Sequence, residues 1–229
     1  MNFTERHHAF LTAKYYEMLR DGGFAEYRAV FRRATQHYAE QRGARMAQRA
    51  LRDGRTLDFA AYVDYGEWAP TAQANAAVRT PTETWNENGD AYVRIHHCEW
   101  SEQYLAMGLE DGAEDYCAVL DVSIARGFNP DLTYEVQHVM HKNRDYCLHC
   151  RRGACAARGA DEKPKNAVRP FAFHCAHALY AYGEIVTAVY GSRGALLAAR
   201  VLEAFAMEYG FEMADVLVRM RDANFNVAD

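Results

Sequence analysis

The chain has 229 residues, 50% of them hydrophobic, and its 26 Lys and Arg against 31 Asp and Glu give a formal net charge of −5. This length can bury a core without disulfide staples, and the acidic balance argues against a nucleic-acid partner. The first residues lack the basic and apolar segments of a signal peptide, and no apolar run approaches the roughly 20 residues of a membrane span. We therefore expect a soluble, cytoplasmic protein that binds neither membrane nor nucleic acid.

The N-terminal part of the chain, residues 1–69, is predicted to be helical. Thr4 is suited to cap a first helix that stops at Gly22. Apolar residues spaced three and four apart then predict a longer helix that stops at Asp53. The basic stretch Arg42–Arg55 within this helix is interpreted as a solvated face.

The middle of the chain, residues 90–150, is predicted to contain a small antiparallel sheet. Residues 91–96 alternate as a strand does. Helical spacing returns from Trp100 to Ile124, and Gly127–Pro130 supplies the glycine and proline that end such a helix. Two short runs, 132–140 and 146–150, are joined by a polar turn and predict a β-hairpin.

The C-terminal part is predicted as an exposed basic loop over residues 151–170, followed by helices over 171–221. Together these elements predict a single domain over 1–229 of the α+β class, in which N- and C-terminal helices pack on a small central antiparallel sheet. The Ala-rich stretch Ala195–Ala206 suggests a surface for a homo-oligomer, and a dimer is our hypothesis.

Side chains able to carry chemistry come from four separate segments. Cys117 and Asp121 are four apart in a predicted helix and would share one face. A carboxylate among apolar residues is costly to bury unless it has a partner or a task. Cys98 follows a strand end, Cys147 lies in a hairpin strand, and His174 opens the C-terminal helical region. We predict that the fold brings these groups together.

Two mechanisms are compatible with this set. A zinc ion would lower the pKa of a bound water to about 7 and make hydroxide available. Alternatively, one cysteine would be a nucleophile activated by an imidazole. The spacing does not decide between them, and Cys147, Cys150 and Cys155 lack the second pair that a zinc ribbon needs. The candidate zinc ligands are Cys98, Cys117, Cys147 and His174.

Several short motifs occur in a fixed order along the chain. They are His97–Trp100, Tyr116–Asp121, Gly127–Pro130, Asp145–Cys147 and Phe173–His177. Their order and spacing resemble those of the L-2-amino-thiazoline-4-carboxylic acid hydrolase family, and the resemblance covers most of the chain.

The resemblance implies hydrolysis at the carbon between the two heteroatoms of a five-membered ring that carries a carboxylate. The namesake 2-aminothiazoline opens towards an N-carbamoyl cysteine, and a thioxo-imidazolidine (thiohydantoin) would lose sulfide in a desulfhydrase reaction. Asp121 would be general base or metal partner, Cys117 nucleophile or metal ligand, and His174 the acid for the leaving group. The candidate substrate-binding residues are Arg94, Asn129 and Trp100, with Arg126 as a second arginine for the carboxylate.

A second class of protein stays open at this point. A small sheet with a Gly-Phe-Asn-Pro turn and a later strand cysteine also resembles vinyl-4-reductase-type domains, which bind a small molecule and break no bond. Asp121 beside Cys117 discriminates between the two, because a pure binding module has less need of an acid–base group there. A structural protein is disfavoured by the same cluster.

Overall fold

A computed structural model of the chain describes residues 2–143, 145–154, 163–164 and 167–228. Within these residues the chain forms eleven helices and one four-stranded antiparallel sheet, which confirms the α+β class. In chain order the elements are α1 (Glu5–Asp21), α2 (Tyr27–Arg52), α3 (Phe59–Asp64), α4 (Ala72–Ala77), β1 (Glu83–Glu87), β2 (Asp90–Ile95), α5 (Glu99–Ala106), α6 (Glu110–Cys117), α7 (Leu120–Phe128), β3 (Tyr134–His138), α8 (Met140–Asn143), β4 (Cys147–Arg151), α9 (Phe171–Tyr190), α10 (Ser192–Tyr209) and α11 (Phe211–Val218).

The chain divides into two compact units, each assembled from three stretches. The first unit comprises Met1–Tyr38, Glu99–Tyr116 and Pro170–Ala223, and the second comprises Ala39–Cys98, Cys117–Arg169 and Asn224–Asp229. The prediction of one domain over 1–229 is neither supported nor contradicted by this division.

The first unit is a set of packed helices in which α1 contacts α5, α9 and α10. Two of its buried tyrosines, Tyr15 and Tyr182, satisfy their hydroxyl groups inside the core, as buried phenols require. Tyr15 donates to the carbonyl oxygen of Leu179 at 2.7 Å, and the hydroxyls of Tyr182 and Thr35 are 2.6 Å apart. The predicted helices at both ends of the chain are confirmed, and in this unit they pack on one another.

The second unit contains the sheet, whose strand order is β1-β2-β4-β3 with every neighbouring pair antiparallel. The predicted hairpin is confirmed as β3 and β4, although the helix α8 takes part of the connection in place of a simple turn. Strand β1 was not predicted, because residues 83–87 are mostly exposed and lack an apolar alternation.

The register of the sheet sorts its side chains onto two faces. Ile95 pairs with Cys147, and Arg94 pairs with Leu148. Directly paired residues point to the same face of an antiparallel sheet, and successive residues point to opposite faces. The side chains that share one face of β4 are Cys147, His149 and Arg151. Arg94 lies on the other face.

The predicted continuous helix through Cys117 and Asp121 is wrong. Helix α6 ends at Cys117 and α7 begins at Leu120. Val119 lies between them with φ of −126° and ψ of −20°, outside helical geometry. The two functional candidates therefore belong to consecutive helices, and their proximity comes from packing and not from a four-residue spacing.

Helix α7 is placed by a backbone-to-backbone crossing with α2. A Cβ atom on Gly43 would lie 2.1 Å from the carbonyl oxygen of Ile124, and one on Gly127 would lie 2.4 Å from the carbonyl oxygen of Glu40. Only glycine tolerates such an approach on both helices. The crossing fixes α7, and with it Asp121 in the first turn of that helix.

The interpretation of the basic stretch Arg42–Arg55 as a solvated face is wrong for three of its arginines. Arg42, Arg45 and Arg49 are all buried. Arg45 binds both carboxylate oxygens of Glu67, at 2.9 and 2.6 Å, and Arg49 binds the same carboxylate at 2.6 Å. Glu67 is 22 positions from Arg45 in the sequence. The helical periodicity of the arginine stretch therefore could not predict that Glu67 neutralises these arginines.

Part of the predicted basic loop over 151–170 lies outside the described residues, namely 155–162 and 165–166, and Cys155 lies there too. Arg151 was assigned to this loop, but it is the last residue of β4. None of the helices described is long and apolar enough to cross a membrane. The cytoplasmic location stays a prediction.

Candidate active site

Three cysteines and one aspartate converge in the second unit. The Cys117 thiol interacts electrostatically with Cys98, Cys147 and Asp121, and Cys147 also interacts with Asp121. The sulfur of Cys147 accepts a hydrogen bond from the Met140 backbone N–H at 3.4 Å. The structure thus brings together four of the residues singled out in the sequence, although their functional roles are not tested by this proximity.

The thiols of Cys117 and Cys147 are neutral at neutral pH. Burial raises the pKa of Cys117 well above its usual value, and the neighbouring thiols and Asp121 add to the rise. Burial likewise raises the pKa of Cys147, against the lowering effect of the Met140 N–H. The reactive form of cysteine is the thiolate, so these surroundings disfavour either thiol as a nucleophile.

Asp121 is the carboxylate of the cluster. It is half-buried in the first turn of α7, where the helix dipole favours a negative charge. Among the described residues, no hydrogen-bond donor or cation pairs with its carboxylate. A carboxylate in this position can accept a proton from a bound water.

Two buried phenols face this carboxylate. The rings of Tyr62 on α3 and Tyr134 on β3 are 5.9 Å apart, and the Tyr134 hydroxyl lies 2.7 Å from Nδ1 of His149. Burial raises the pKa of both phenols, and repulsion from Asp121 raises it further. Both hydroxyls therefore stay protonated at neutral pH.

Positive charge reaches the same cluster from Arg42 on α2 and Arg151 on β4. Both guanidiniums lower the pKa of Tyr62, against the larger effect of burial, and Arg151 is hydrogen-bonded to Tyr134. The Nε atom of each is buried without a hydrogen-bond partner. In the part of the chain that the structure describes, neither forms a salt bridge with a carboxylate.

A third cation, Lys163, lies near Arg42. Burial lowers the pKa of Lys163 to about 8, and repulsion from Arg42 adds to this effect, whereas the Asp64 carboxylate opposes it.

The arginines predicted to bind the substrate carboxylate are engaged elsewhere. Arg94 lies on the opposite face of the sheet from Cys147, where its guanidinium stacks on Trp85 and Tyr146 at 5.2 and 4.8 Å and pairs with Glu83. The Nε atom of Arg126 donates to Glu40 at 2.9 Å. These contacts favour structural roles.

Asn129 is also engaged within the fold. Its side-chain amide donates to the carbonyl oxygen of Leu57 at 2.8 Å and accepts from the Asp131 N–H at 3.0 Å. The residue thereby anchors the end of α7, and its predicted contact with substrate stays untested.

Trp100 and His174 belong to the first unit. The Trp100 indole N–H donates to Nδ1 of His8 at 2.9 Å, and Nε2 of His8 lies 2.9 Å from the Tyr38 hydroxyl. Because Nδ1 accepts, the proton of a neutral His8 lies on Nε2 and is donated to Tyr38. His174 is buried on α9, where its ring contacts Phe171 and Phe173. The predicted roles of Trp100 in binding and His174 in acid catalysis are not tested by these contacts.

The predicted zinc site gains no support from the donor arrangement. In the described part of the chain, which includes all four predicted ligands, no group of three or more His, Cys, Asp and Glu side chains could hold a metal ion. The zinc site therefore stays a prediction.

Sequence reasoning missed Tyr62, Tyr134, Arg42, Arg151 and His149. One signal was readable: β4 carries Cys147, His149 and Arg151 at every second position, which places three polar side chains on one face of a strand. The phenols and Arg42 left no such signal, because they come from α3, β3 and α2 and meet only in the folded unit.

An α+β fold with a carboxylate among thiols, phenols and two guanidiniums that form no salt bridge in the described part of the chain is compatible with the class of hydrolases that act on small molecules. The chain belongs to the L-2-amino-thiazoline-4-carboxylic acid hydrolase family, whose sequence profile matches residues 3–150. The match includes the cluster around Asp121 and ends before His174. No curated protein and no solved structure matches the chain.

Proposed function

We propose that this protein hydrolyses a small five-membered ring that contains sulfur and nitrogen and carries a carboxylate, with Asp121 as the general base. The observation that carries the proposal is the half-buried Asp121 carboxylate, which has no partner among the described residues and faces thiols and phenols. A carboxylate left unpaired in such surroundings costs folding free energy, which is typical of a residue kept for its chemistry.

The proposed reaction balances with one water molecule. Asp121 takes a proton from water as the oxygen attacks the carbon between the heteroatoms. The bond from this carbon to sulfur then breaks, and Asp121 returns the proton to the departing sulfur. The second proton of the water leaves the attacking oxygen as it becomes a carbonyl, and it ends on the ring nitrogen of the 2-aminothiazoline or on the released sulfide of the thioxo ring. A 2-aminothiazoline carboxylate yields an N-carbamoyl cysteine in this way, and a thioxo-imidazolidine carboxylate yields the oxo ring and sulfide.

Tyr62 and Tyr134 support this step as hydrogen-bond donors. Their protonated hydroxyls face the cluster, so they can stabilise the negative charge that develops on the ring heteroatom during attack. Preorganised donors of this kind contribute about 3–4 kcal/mol each to the stabilisation of a transition state in a dry site. Cys117 contributes a neutral thiol to the wall of the same site.

Arg42 and Arg151 form the subsite for the substrate carboxylate in this proposal. Each has a buried Nε without a partner, and both lie within electrostatic range of Tyr62. An incoming carboxylate would supply the acceptors that these donors lack, and charge-assisted hydrogen bonds to arginine are strong and directional. Lys163 adds positive charge below its pKa of about 8.

Replacing Arg151 by methionine is expected to raise KM for a carboxylated ring by roughly 10–100-fold, with a smaller change in kcat. The reason is that the guanidinium binds a group that is equally charged in the ground state and the transition state. Steady-state kinetics on the variant and on Arg126→Met measure this effect. An equal loss for the two variants, or an unchanged KM for Arg151→Met, would remove Arg151 from the subsite.

The function itself is tested by incubating purified protein with 2-aminothiazoline-4-carboxylate and with a thioxo-imidazolidine carboxylate. From the first ring we expect a product heavier by one water, with a free thiol that a thiol reagent detects. From the second we expect a product in which oxygen has replaced sulfur, together with free sulfide. Calorimetric binding of either ring without turnover would instead favour the small-molecule-binding module.

A further inference from the structure

The outward face of α10, in the first unit, carries apolar side chains without cover. Leu196 is 54% exposed, Met207 is 79% exposed, and Phe211 just beyond the helix is also 79% exposed. At about 100° per residue, positions 196, 200, 203 and 207 fall in one narrow stripe along the helix. The stripe is therefore Leu196, Arg200, Glu203 and Met207, with apolar residues at its ends and opposite charges in its middle.

We propose that a second copy of this chain covers the stripe, through antiparallel pairing of the two α10 helices about a two-fold axis near positions 201 and 202. In this pairing Leu196 meets Met207 of the partner subunit, and Arg200 meets Glu203 of the partner subunit. Neither charged residue has an ion-pair partner among the described residues of its own chain. A parallel pairing would instead place Arg200 against its own copy, and like charges in contact disfavour that arrangement.

A surface pocket strengthens the self-complementarity of this face. The pocket, of about 360 Å³, lies where the end of α1 meets the start of α10, so it borders the N-terminal end of the stripe. Its lining includes Met18, Phe24, Arg193, Leu196 and Arg200. Met207 is exposed at the C-terminal end of the same stripe, and the exposed Phe211 begins α11 directly after it. Antiparallel pairing brings this end of each copy against the pocketed end of the other copy, as an isologous two-fold interface requires.

The size of the face sets the expected strength of the dimer. Helix α10 has 18 residues and is therefore about 27 Å long. The surface area that one helix pair buries, with a filled pocket at each end, is expected near the lower limit for stable interfaces, about 1,200 Å² in total. We therefore expect a reversible, concentration-dependent dimer.

Sedimentation velocity on the full chain, from roughly 1 to 100 μM, tests the proposal. We expect a concentration-dependent dimer, which Arg200→Glu weakens at least about tenfold because it faces Glu203 of the partner subunit. The double change Arg200→Glu with Glu203→Arg is expected to restore it, since each charge then meets its opposite again. Met207→Ser removes an apolar side chain from the stripe, and we expect it to weaken the dimer as well.

Leu51→Ser is the matched control, because Leu51 is 60% exposed on α2 in the other unit. All the altered side chains are exposed, so circular dichroism should show unchanged helix content. A monomer over the whole concentration range overturns the proposal. So does a dimer that survives Arg200→Glu, or one that the double change fails to restore.

Discussion

The variant Asp121→Asn is expected to lose about 10²–10⁴-fold in kcat/KM for ring hydrolysis. Asparagine keeps the size of the side chain and its first-turn position on α7, but it cannot accept a proton from water. KM is expected to change less than kcat, because the substrate carboxylate is bound through Arg42 and Arg151. Steady-state kinetics with 2-aminothiazoline-4-carboxylate, monitored by thiol release, measure both constants.

The matched control is Asp131→Asn, an exposed aspartate just after α7 that makes no contact with the cluster. It should retain full activity. Activity of Asp121→Asn within a few-fold of the control would show that another group is the base.

The variant Cys117→Ser decides between activated water and a cysteine nucleophile. Because the pKa of the Cys117 thiol is raised, we expect this variant to keep a substantial part of kcat, and mass spectrometry of the working enzyme to show no covalent adduct. A loss as large as that of Asp121→Asn, together with a trapped adduct on the native protein, would favour nucleophilic catalysis.

The variant Glu67→Ala is expected to lower the free energy of unfolding by about 3–5 kcal/mol. The Glu67 carboxylate is fully buried and is the countercharge of two buried guanidiniums, those of Arg45 and Arg49. Its removal leaves both charges in a low-dielectric core without compensation, and Arg49 already has one buried nitrogen without a partner. Urea denaturation with a constant slope m would measure the loss as a lower midpoint.

The control for this prediction is Glu40→Ala, which removes a half-exposed carboxylate that pairs with Arg126. Solvent screens that pair, so we expect a loss below about 1 kcal/mol. If Glu67→Ala prevents folding, Glu67→Gln keeps hydrogen-bond acceptors in place and should show a smaller loss. Equal stability of Glu67→Ala and the control would contradict the account of the buried arginines.

Local signals predicted much of the secondary structure. The first helix ends at Asp21 with Gly22 as its cap, the hairpin lies in β3 and β4, and the C-terminal region is helical, all as expected. These features depend on glycine stops, alternation and apolar spacing, which act over a few residues. Where such a signal was weak, as in β1, the prediction missed the element.

The candidate site was predicted only in part. Cys98, Cys117, Asp121 and Cys147 were identified because thiols and a carboxylate in apolar surroundings are unusual in any chain. Their arrangement was predicted from one continuous helix through Cys117 and Asp121. In the structure Cys117 ends α6, and Asp121 lies in the next helix, α7. The arginine stretch of α2 was taken for a solvated face, because a helix with many charges usually is one.

The sequence by itself therefore determined the α+β class, the position of the terminal helices and the hairpin, and four of the side chains that meet in the cluster around Asp121. Only the tertiary structure decided that Arg42 and Arg151 meet at the phenols of Tyr62 and Tyr134, that Arg94 points to the other face of the sheet, and that Glu67 neutralises buried charge. The physical reason is that desolvation and charge pairing depend on which distant segments touch, and one-dimensional periodicity contains no record of that contact.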